Sequence, residues 1–154
     1  MTRAATWRRL DPRRSPPALA LAALAAIWLL LGGGGGTQTW ERRAILYALR
    51  MVESGGRDDV PDGDGDRAIG PYQIHEVYWR DALAHAPGLG GGYQDCRDRA
   101  YAERVLAAYM ERHAPAAWQR GEAQTIARVH NGGPLGPQKA ATRGYWLRVR
   151  SYLP

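Results

Sequence analysis

Two acidic positions of this chain could carry acid–base chemistry. Glu53 follows an apolar run with helical spacing and falls near a predicted helix end, where the helix dipole disfavours negative charge. The loop that follows places Asp62, Asp64 and Asp66 in D-x-D-x-D spacing. Two facing carboxyl groups hydrolyse glycosidic bonds, because one protonates the leaving oxygen while the other supports the cationic sugar or activates water. Taken alone, Glu53 also fits an exposed helix end, and the loop fits a solvated acidic segment.

The same loop does not fit a calcium site. Counted from Asp62, an EF-hand needs Gly at the sixth position and Glu at the twelfth, but Arg67 and Gln73 stand there. The single cysteine, Cys96, excludes an intrachain disulfide and any cysteine-rich zinc or iron–sulfur site. We therefore predict an enzyme that uses no metal and no cofactor.

Two glycine-containing segments could bind a polar, ring-shaped ligand. In Gly70-Pro71-Tyr72-Gln73-Ile74, glycine permits a close approach, while Tyr72 and Gln73 could offer a flat face and an amide. In the segment that begins His130-Asn131-Gly132-Gly133, an imidazole and an amide stand at a predicted helix end. His130 alone also fits a helix-terminal histidine bonded to a carbonyl.

Five helices must position these side chains. Apolar residues at three- to four-residue spacing, together with Gly and Pro stops, predict them at 39–53, 72–86, 98–113, 122–130 and 138–152. No alternation typical of a strand is evident. The sequence thus predicts a compact all-α domain over residues 37–154, which is long enough to bury a core without disulfides.

The first 36 residues have a different character. Five arginines and one aspartate precede an uncharged run, Ala18–Leu31, and five glycines follow it. This order is typical of an export signal or an N-terminal membrane anchor, although the run is short beside the ~20 residues that span a bilayer. We favour an uncleaved anchor slightly, since no clear cleavage site follows Leu31; a buried helix of the domain is the alternative. Either export reading places the domain in the periplasm or outside the cell, with residues 18–31 contacting the inner membrane if they are retained.

The net charge of +6 could suggest a nucleic-acid partner. However, residues 1–36 hold five of the arginines and one aspartate, so the remaining 16 basic and 14 acidic residues give only +2. Most of the positive charge therefore belongs to the N-terminal segment, and we expect no nucleic-acid partner.

The order of the motifs is more specific than any one of them. Glu53-Ser54-Gly55, the block Gly70–Ala82, the segment Ala127–Gly136 and Gly144-Tyr145-Trp146 follow one another. Over about Trp40–Tyr152 the chain resembles the invertebrate-type lysozyme family, also called the destabilase family. The resemblance implies a lysozyme-like helical fold and cleavage of the β-1,4 bond between N-acetylmuramic acid and N-acetylglucosamine in peptidoglycan or a related polymer.

The resemblance also implies site residues. The family's catalytic Glu matches Glu53, and its Asp matches the loop, where Asp64 fits best and Asp62 second. Five residues map to the saccharide cleft or its supporting shell: Tyr72, Gln73, His130, Asn131 and Tyr145. With its single cysteine, the chain departs from the disulfide-rich animal members of the family and looks like a bacterial member. Two other functions remain open: a lytic transglycosylase with a single Glu and a non-catalytic peptidoglycan-binding module. For a hydrolase, the sequence also leaves open whether the reaction retains or inverts the anomeric configuration. The oligomeric state is also open.

Overall fold

Helices form most of the ordered backbone in the computed structural model, which describes residues 38–154. Within that range there are six α-helices: α1 (Arg42–Ser54), α2 (Glu76–His85), α3 (Arg99–His113), α4 (Pro115–Arg120), α5 (Ala123–Gly132) and α6 (Thr142–Arg150). Three short 3₁₀ helices lie between them: Pro87–Leu89, Tyr93–Arg97 and Gly136–Gln138. The predicted all-α class is confirmed.

Helix α1 forms because its apolar residues share one side. Ile45, Ala48 and Leu49 are fully buried on that side. Gly55 ends the helix in the left-handed conformation with φ 63°, and its N–H donates to the Met51 carbonyl at 3.1 Å. This termination fixes Glu53 in the last helical turn.

A small hairpin follows the acidic loop, where we predicted no strand. Strand β1 (Ala68–Ile69) pairs antiparallel with β2 (Ile74–His75), and Ala68 stands opposite His75. The second helix therefore begins at Glu76 rather than at Tyr72. Strands of two residues are too short to show alternation, which is why the sequence pattern gave no sign of them.

Two other element predictions are also wrong. Helix α4 was not predicted; it begins with a proline at its first position, where the missing N–H costs nothing. The last helix begins at Thr142 instead of Gln138, because Gly136–Gln138 forms a 3₁₀ turn around Pro137.

One apolar core joins the six helices. Its largest fully buried side chains are Tyr72, Ile45, Leu49, Ile69, Ile74, Leu106, Met110 and Ile126. Each buried aliphatic side chain of this size stabilises the fold by roughly 1.5–3 kcal/mol relative to exposure. Trp118 and Trp146 are buried within this core, while Trp40 and Trp79 pack against it partly buried. The core therefore carries the stability that disulfides supply in cysteine-rich chains.

The expected N-terminal signal or anchor, with the domain boundary at residue 36, lies outside the described residues. Within residues 38–154, every helix is too short or too polar to cross a membrane.

Candidate active site

A buried tyrosine hydroxyl donates a hydrogen bond to the Glu53 carboxylate. The hydroxyl of Tyr145, on α6, donates a hydrogen bond to Oε1 of Glu53 at 2.6 Å. Tyr145 is only 3% exposed, while the Glu53 side chain is 19% exposed. Burial, followed by the charge of Glu53 and this hydrogen bond, raises the pKa of Tyr145 well above its ordinary value. The hydroxyl therefore stays protonated and acts as a fixed donor near neutral pH.

His130 approaches the same oxygen from α5. Its Nε2 lies 3.6 Å from Oε1 of Glu53, too far for a direct hydrogen bond but close enough for electrostatic contact. Its Nδ1 lies 3.4 Å from the hydroxyl of Tyr78, which stacks on Tyr109 with ring centroids 3.6 Å apart. Burial raises the pKa of Tyr78 well above its ordinary value. The stacked rings of Tyr78 and Tyr109 thus help to hold His130 in its position beside Glu53.

Asp64 begins the turn that leads into the hairpin. The backbone N–H of Gly63 donates to the Ala68 carbonyl at 2.8 Å, which closes the turn over residues 64–67. Asp64 has φ 50°, a left-handed conformation that aspartate tolerates better than most residues. Arg67 Nη2 lies 2.9 Å from Oδ1 of Asp64, and His75 Nε2 lies 3.6 Å from Oδ2. Local backbone geometry and these two basic neighbours together orient the carboxylate.

Glu53 and Asp64 line one polar cavity of about 270 Å³. The residues that line it are Glu53, Asp64, Ala68, Gln73, His75, His130 and Asn131. The Gln73 amide is fixed by a hydrogen bond from Nε2 to the Gly70 carbonyl at 3.1 Å. Larger cavities occur elsewhere on the described surface, but those next to α2, the C-terminus and the first half of α1 have a single carboxylate each. Only the smaller, polar cavity among these four is lined by two acidic side chains, and we name it the acidic cavity.

The other two loop aspartates point elsewhere. Asp62 forms a two-bond ion pair with the guanidinium of Arg97, in which Nη2 lies 2.6 Å from Oδ2. That hydrogen bond lowers the pKa of Asp62. Asp66 is exposed at the turn with φ 66°. Neither aspartate lines the acidic cavity.

Two of the five residues mapped to the saccharide cleft or its supporting shell lie inside the protein. Tyr72 is fully buried, and its hydroxyl donates to Glu103 at 2.9 Å, so its ring does not face the acidic cavity. Tyr145 supports Glu53 from within the protein rather than facing a ligand. By contrast, Gln73, His130 and Asn131 line the acidic cavity.

Sequence reasoning missed His75 and Tyr78. His75 lines the cavity because the unpredicted strand β2 turns it toward Asp64. Tyr78 contacts His130 across 52 residues of sequence, and no local pattern indicates such a contact. Within residues 38–154, there is no cluster of three or more His, Cys, Asp or Glu side chains able to hold a metal ion.

The comparison with protein families accounts for most of the chain. A family model described as Destabilase matches residues 45–152. The chain belongs to the destabilase family. This confirms the resemblance inferred from the motifs, and the match includes every element from the first turn of α1 to the end of α6.

Relatives of this destabilase-family chain are lysozymes. Lysozyme 1 of Crassostrea virginica is 37% identical over 108 residues, which is 69% of this chain but only 56% of that protein. The lysozyme of Meretrix lusoria is 37% identical over 107 residues, which is 68% of this chain and 84% of that protein. These relatives support a muramidase function, that of a lysozyme-type glycoside hydrolase, and do not favour the alternatives.

Solved structures agree on the fold. Meretrix lusoria lysozyme, in its complex with Aeromonas hydrophila PliI, has a TM-score of 0.60 and 31% identity, covering 77% of this chain and 93% of that one. Tapes japonica lysozyme has a TM-score of 0.55 and 28% identity, covering 70% of this chain and 87% of that one. The lysozyme-like helical fold is therefore confirmed.

Proposed function

We propose that this chain hydrolyses the β-1,4 bond between N-acetylmuramic acid and N-acetylglucosamine in peptidoglycan or a related amino-sugar polymer. Glu53 acts as the general acid and Asp64 as the second carboxylate. The observation that carries the proposal is the acidic cavity itself, which Glu53 and Asp64 both line and in which Glu53 is anchored by Tyr145.

The anchoring of Glu53 defines where its acidic proton sits. Oε1 accepts the Tyr145 hydrogen bond and faces His130. No hydrogen bond to Oε2 is formed by any residue between 38 and 154. In the protonated acid, Oε1 is thus the carbonyl-type acceptor and Oε2 carries the proton. From Oε2 the proton passes to the glycosidic oxygen as the bond to the sugar carbon breaks.

Asp64 supplies the negative charge that this bond cleavage requires. Its carboxylate stabilises the oxocarbenium-like transition state as the glycosidic bond breaks. If it also takes a proton from a water that attacks from the opposite face, the anomeric centre is inverted. If it attacks the anomeric carbon itself, water later hydrolyses the glycosyl-enzyme and the configuration is retained. Arg67 and His75 keep the carboxylate oriented without covering it, since its side chain remains 53% exposed.

The amides of Gln73 and Asn131 provide hydrogen-bonding groups for the sugar. Both line the acidic cavity, and an amide can donate and accept at once, as hydroxyl and acetamido groups demand. Because Gln73 is tied to the Gly70 carbonyl, little side-chain entropy is lost when it binds a ligand.

Glu53→Gln tests the assigned acid. The amide keeps the size of the side chain but has no acidic proton, so we expect kcat on soluble peptidoglycan strands to fall by about 10²–10⁴-fold. Binding of a saccharide product, measured by titration calorimetry, should change little. Turnover near that of the wild type would overturn the role of Glu53.

In the wild-type reaction, mass spectrometry should find products that have gained water, whereas an anhydro-muramic end would identify a transglycosylase.

Asp64→Asn and Asp62→Asn form a matched pair in the same loop. We expect Asp64→Asn to lose most activity because it removes the charge facing Glu53. Asp62→Asn should keep it, because Asp62 is bound to Arg97 outside the cavity. Both variants are measured for initial rate and for urea unfolding, so that a folding defect is separated from a catalytic one. The reverse order of activities would assign the second carboxylate to Asp62.

We also propose that the domain acts outside the cytoplasm, since its proposed substrate is a cell-wall polymer. The arginine-rich flank, the uncharged run and the five glycines of residues 1–36 support export. Retention of residues 18–31 as an inner-membrane anchor is the finer part of the proposal. N-terminal sequencing of the protein recovered from cells distinguishes a cleaved signal from an anchor.

A further inference from the structure

A second cavity, with about 520 Å³ of space, lies along the first half of α1 and shares no lining residue with the acidic cavity. We name it the arginine groove, because four arginines line it: Arg42, Arg43, Arg50 and Arg99. Glu103 is the one carboxylate in its lining. Such an excess of guanidinium groups favours an anionic ligand, which these planar donors bind with two hydrogen bonds each.

Two of the four guanidinium groups are already paired within the protein. Arg50 lies 3.2 Å from Asp58 and also donates to the Gly56 carbonyl, and its side chain is only 16% exposed. Arg99 lies 3.6 Å from Asp58 and 4.0 Å from Glu103. These contacts make Arg50 and Arg99 part of the groove wall.

Arg42 and Arg43 remain available to a ligand. Both are exposed, and neither has a carboxylate within 4.0 Å among residues 38–154. The Arg42 guanidinium lies over the Trp118 ring, 4.3 Å from its centroid. This cation–π contact restrains the guanidinium, and its N–H groups make no hydrogen bond to residues 38–154, so they can donate to a carboxylate.

The arginine groove and the acid share one side of α1. Arg42, Leu46 and Glu53 are separated by four and seven residues, a spacing that returns to the same helical face. Arg43 precedes Glu53 by ten residues, which places it about 15 Å along the axis at ~1.5 Å per residue. A ligand that leaves the acidic cavity along α1 therefore reaches these arginines.

The peptide stem of peptidoglycan has the required charge and length. It branches from muramic acid, ends in a carboxylate and has about four or five residues, which span roughly 13–18 Å when extended. We propose that the arginine groove binds the terminal carboxylate of a peptide stem whose glycan strand lies in the acidic cavity. This inference rests on the proposed function, since it takes muramic acid to be bound next to Glu53. The Tyr47 ring, 48% exposed at the groove, offers an apolar face to the stem.

The test compares one glycan with and without its peptides. The substrates are soluble, un-cross-linked peptidoglycan strands, either intact or stripped of their stems by an amidase. For R42Q/R43Q we expect KM on intact strands to rise about tenfold with kcat little changed, because two charge-assisted contacts are lost. KM on stripped strands should equal that of the wild type. R143Q/R150Q, at two exposed arginines outside the groove, is the control with the same change in net charge.

Three results would overturn the inference. An equal change in KM on both substrates means a general charge effect, and no change on either means that the groove does not bind stems. Binding of poly(glycerol phosphate) that is lost in R42Q/R43Q, without dependence on stems, assigns the groove to a phosphodiester polymer instead. If the wild type cleaves neither strand, the proposed function fails separately. Calorimetric titration of the two strands then decides the inference, because stem-dependent binding is still expected to disappear in R42Q/R43Q.

Discussion

At the scale of single residues, Glu53 depends on a partner far away in the chain. Tyr145 stands 92 residues after it and donates to Oε1 from inside the core. A short hydrogen bond from a neutral donor supports the carboxyl group without giving up its proton. The geometry thus separates the two oxygens of Glu53, since Oε1 accepts this hydrogen bond and Oε2 accepts none from residues 38–154.

Tyr145→Phe should weaken catalysis while the fold is kept. The substitution removes the hydroxyl alone, and the ring stays packed in the core. Because a hydrogen bond to an ionisable group contributes about 1.5–3 kcal/mol, we expect kcat/KM to fall by roughly 10–100-fold. The measurement is kcat and KM separately: the loss should fall on kcat with KM little changed, because the hydroxyl holds the acid and does not contact the saccharide.

A matched substitution shows whether the effect is specific. Tyr109→Phe changes another largely buried tyrosine, which stacks on Tyr78 but makes no hydrogen bond to Glu53. It should leave kcat near the wild-type value. If Tyr145→Phe and Tyr109→Phe lower kcat equally, the hydroxyl of Tyr145 has no positioning role.

The three loop aspartates show where residue patterns stop being informative. Their D-x-D-x-D spacing does not distinguish one from another. The family resemblance favours Asp64 only because of the number of residues between it and the Gly70 block. The structure separates them through contacts that sequence does not reveal. Arg97, 35 residues after Asp62, binds that aspartate, and the left-handed turn directs Asp64 into the cavity.

At the scale of elements, the hairpin β1–β2 positions one side of the acidic cavity. Its two strands bring Ala68 opposite His75, and the turn between them carries Gln73. Gly70 lies in that turn with φ 70°, and a Cβ there would stand 2.0 Å from the Cys96 carbonyl oxygen. The close approach to the backbone of another segment explains why a glycine is needed.

Gly70→Ala should therefore destabilise the domain much more than a glycine substitution in open space. Gly65 is the matched control, since it has φ 63° but no atom within 4 Å of an added Cβ. We expect a loss in the free energy of unfolding of about 2–4 kcal/mol for Gly70→Ala and about 1 kcal/mol for Gly65→Ala. Urea unfolding of the two variants measures the difference. Equal losses would mean that conformation alone, and not the contact with Cys96, determines the requirement.

The elements that the sequence predicted have repeating patterns, and those it missed do not. Helix α1 has a buried face at regular spacing and Gly55 at its end, and its prediction was accurate to a few residues. The hairpin consists of two residues on each side, held by long-range packing against Tyr93, whose hydroxyl donates to the Ile74 carbonyl at 2.8 Å. The family resemblance assigned Tyr72 to the saccharide cleft or its supporting shell, and the structure buries its ring in the core.

At the scale of the whole molecule, stability comes from packing. Cys96 is the one cysteine of the chain, and it is a fully buried free thiol among apolar neighbours. The core also contains buried tyrosines, including Tyr78 and Tyr145. Burial raises the pKa of Cys96 to about 12 and raises the pKa of both tyrosines. A core of this composition makes the folded domain sensitive to alkaline unfolding.

The domain should lose stability as pH rises above about 9. For a group whose pKa is higher in the folded state, the unfolded chain releases its proton first, so stability is intact below the unfolded pKa and falls above it. For Cys96 the interval runs from 9.0 to about 12, which amounts to about 2 kcal/mol lost by pH 10.5. Urea unfolding at pH 8, 9.5 and 10.5 measures this loss. Cys96→Ala is the decisive variant. At pH 8 it should be less stable than the wild type because the buried sulfur is lost. Its stability should then decline less steeply as pH rises, and the tyrosines account for the decline that remains. Parallel declines in the two proteins would show that the thiol is not responsible.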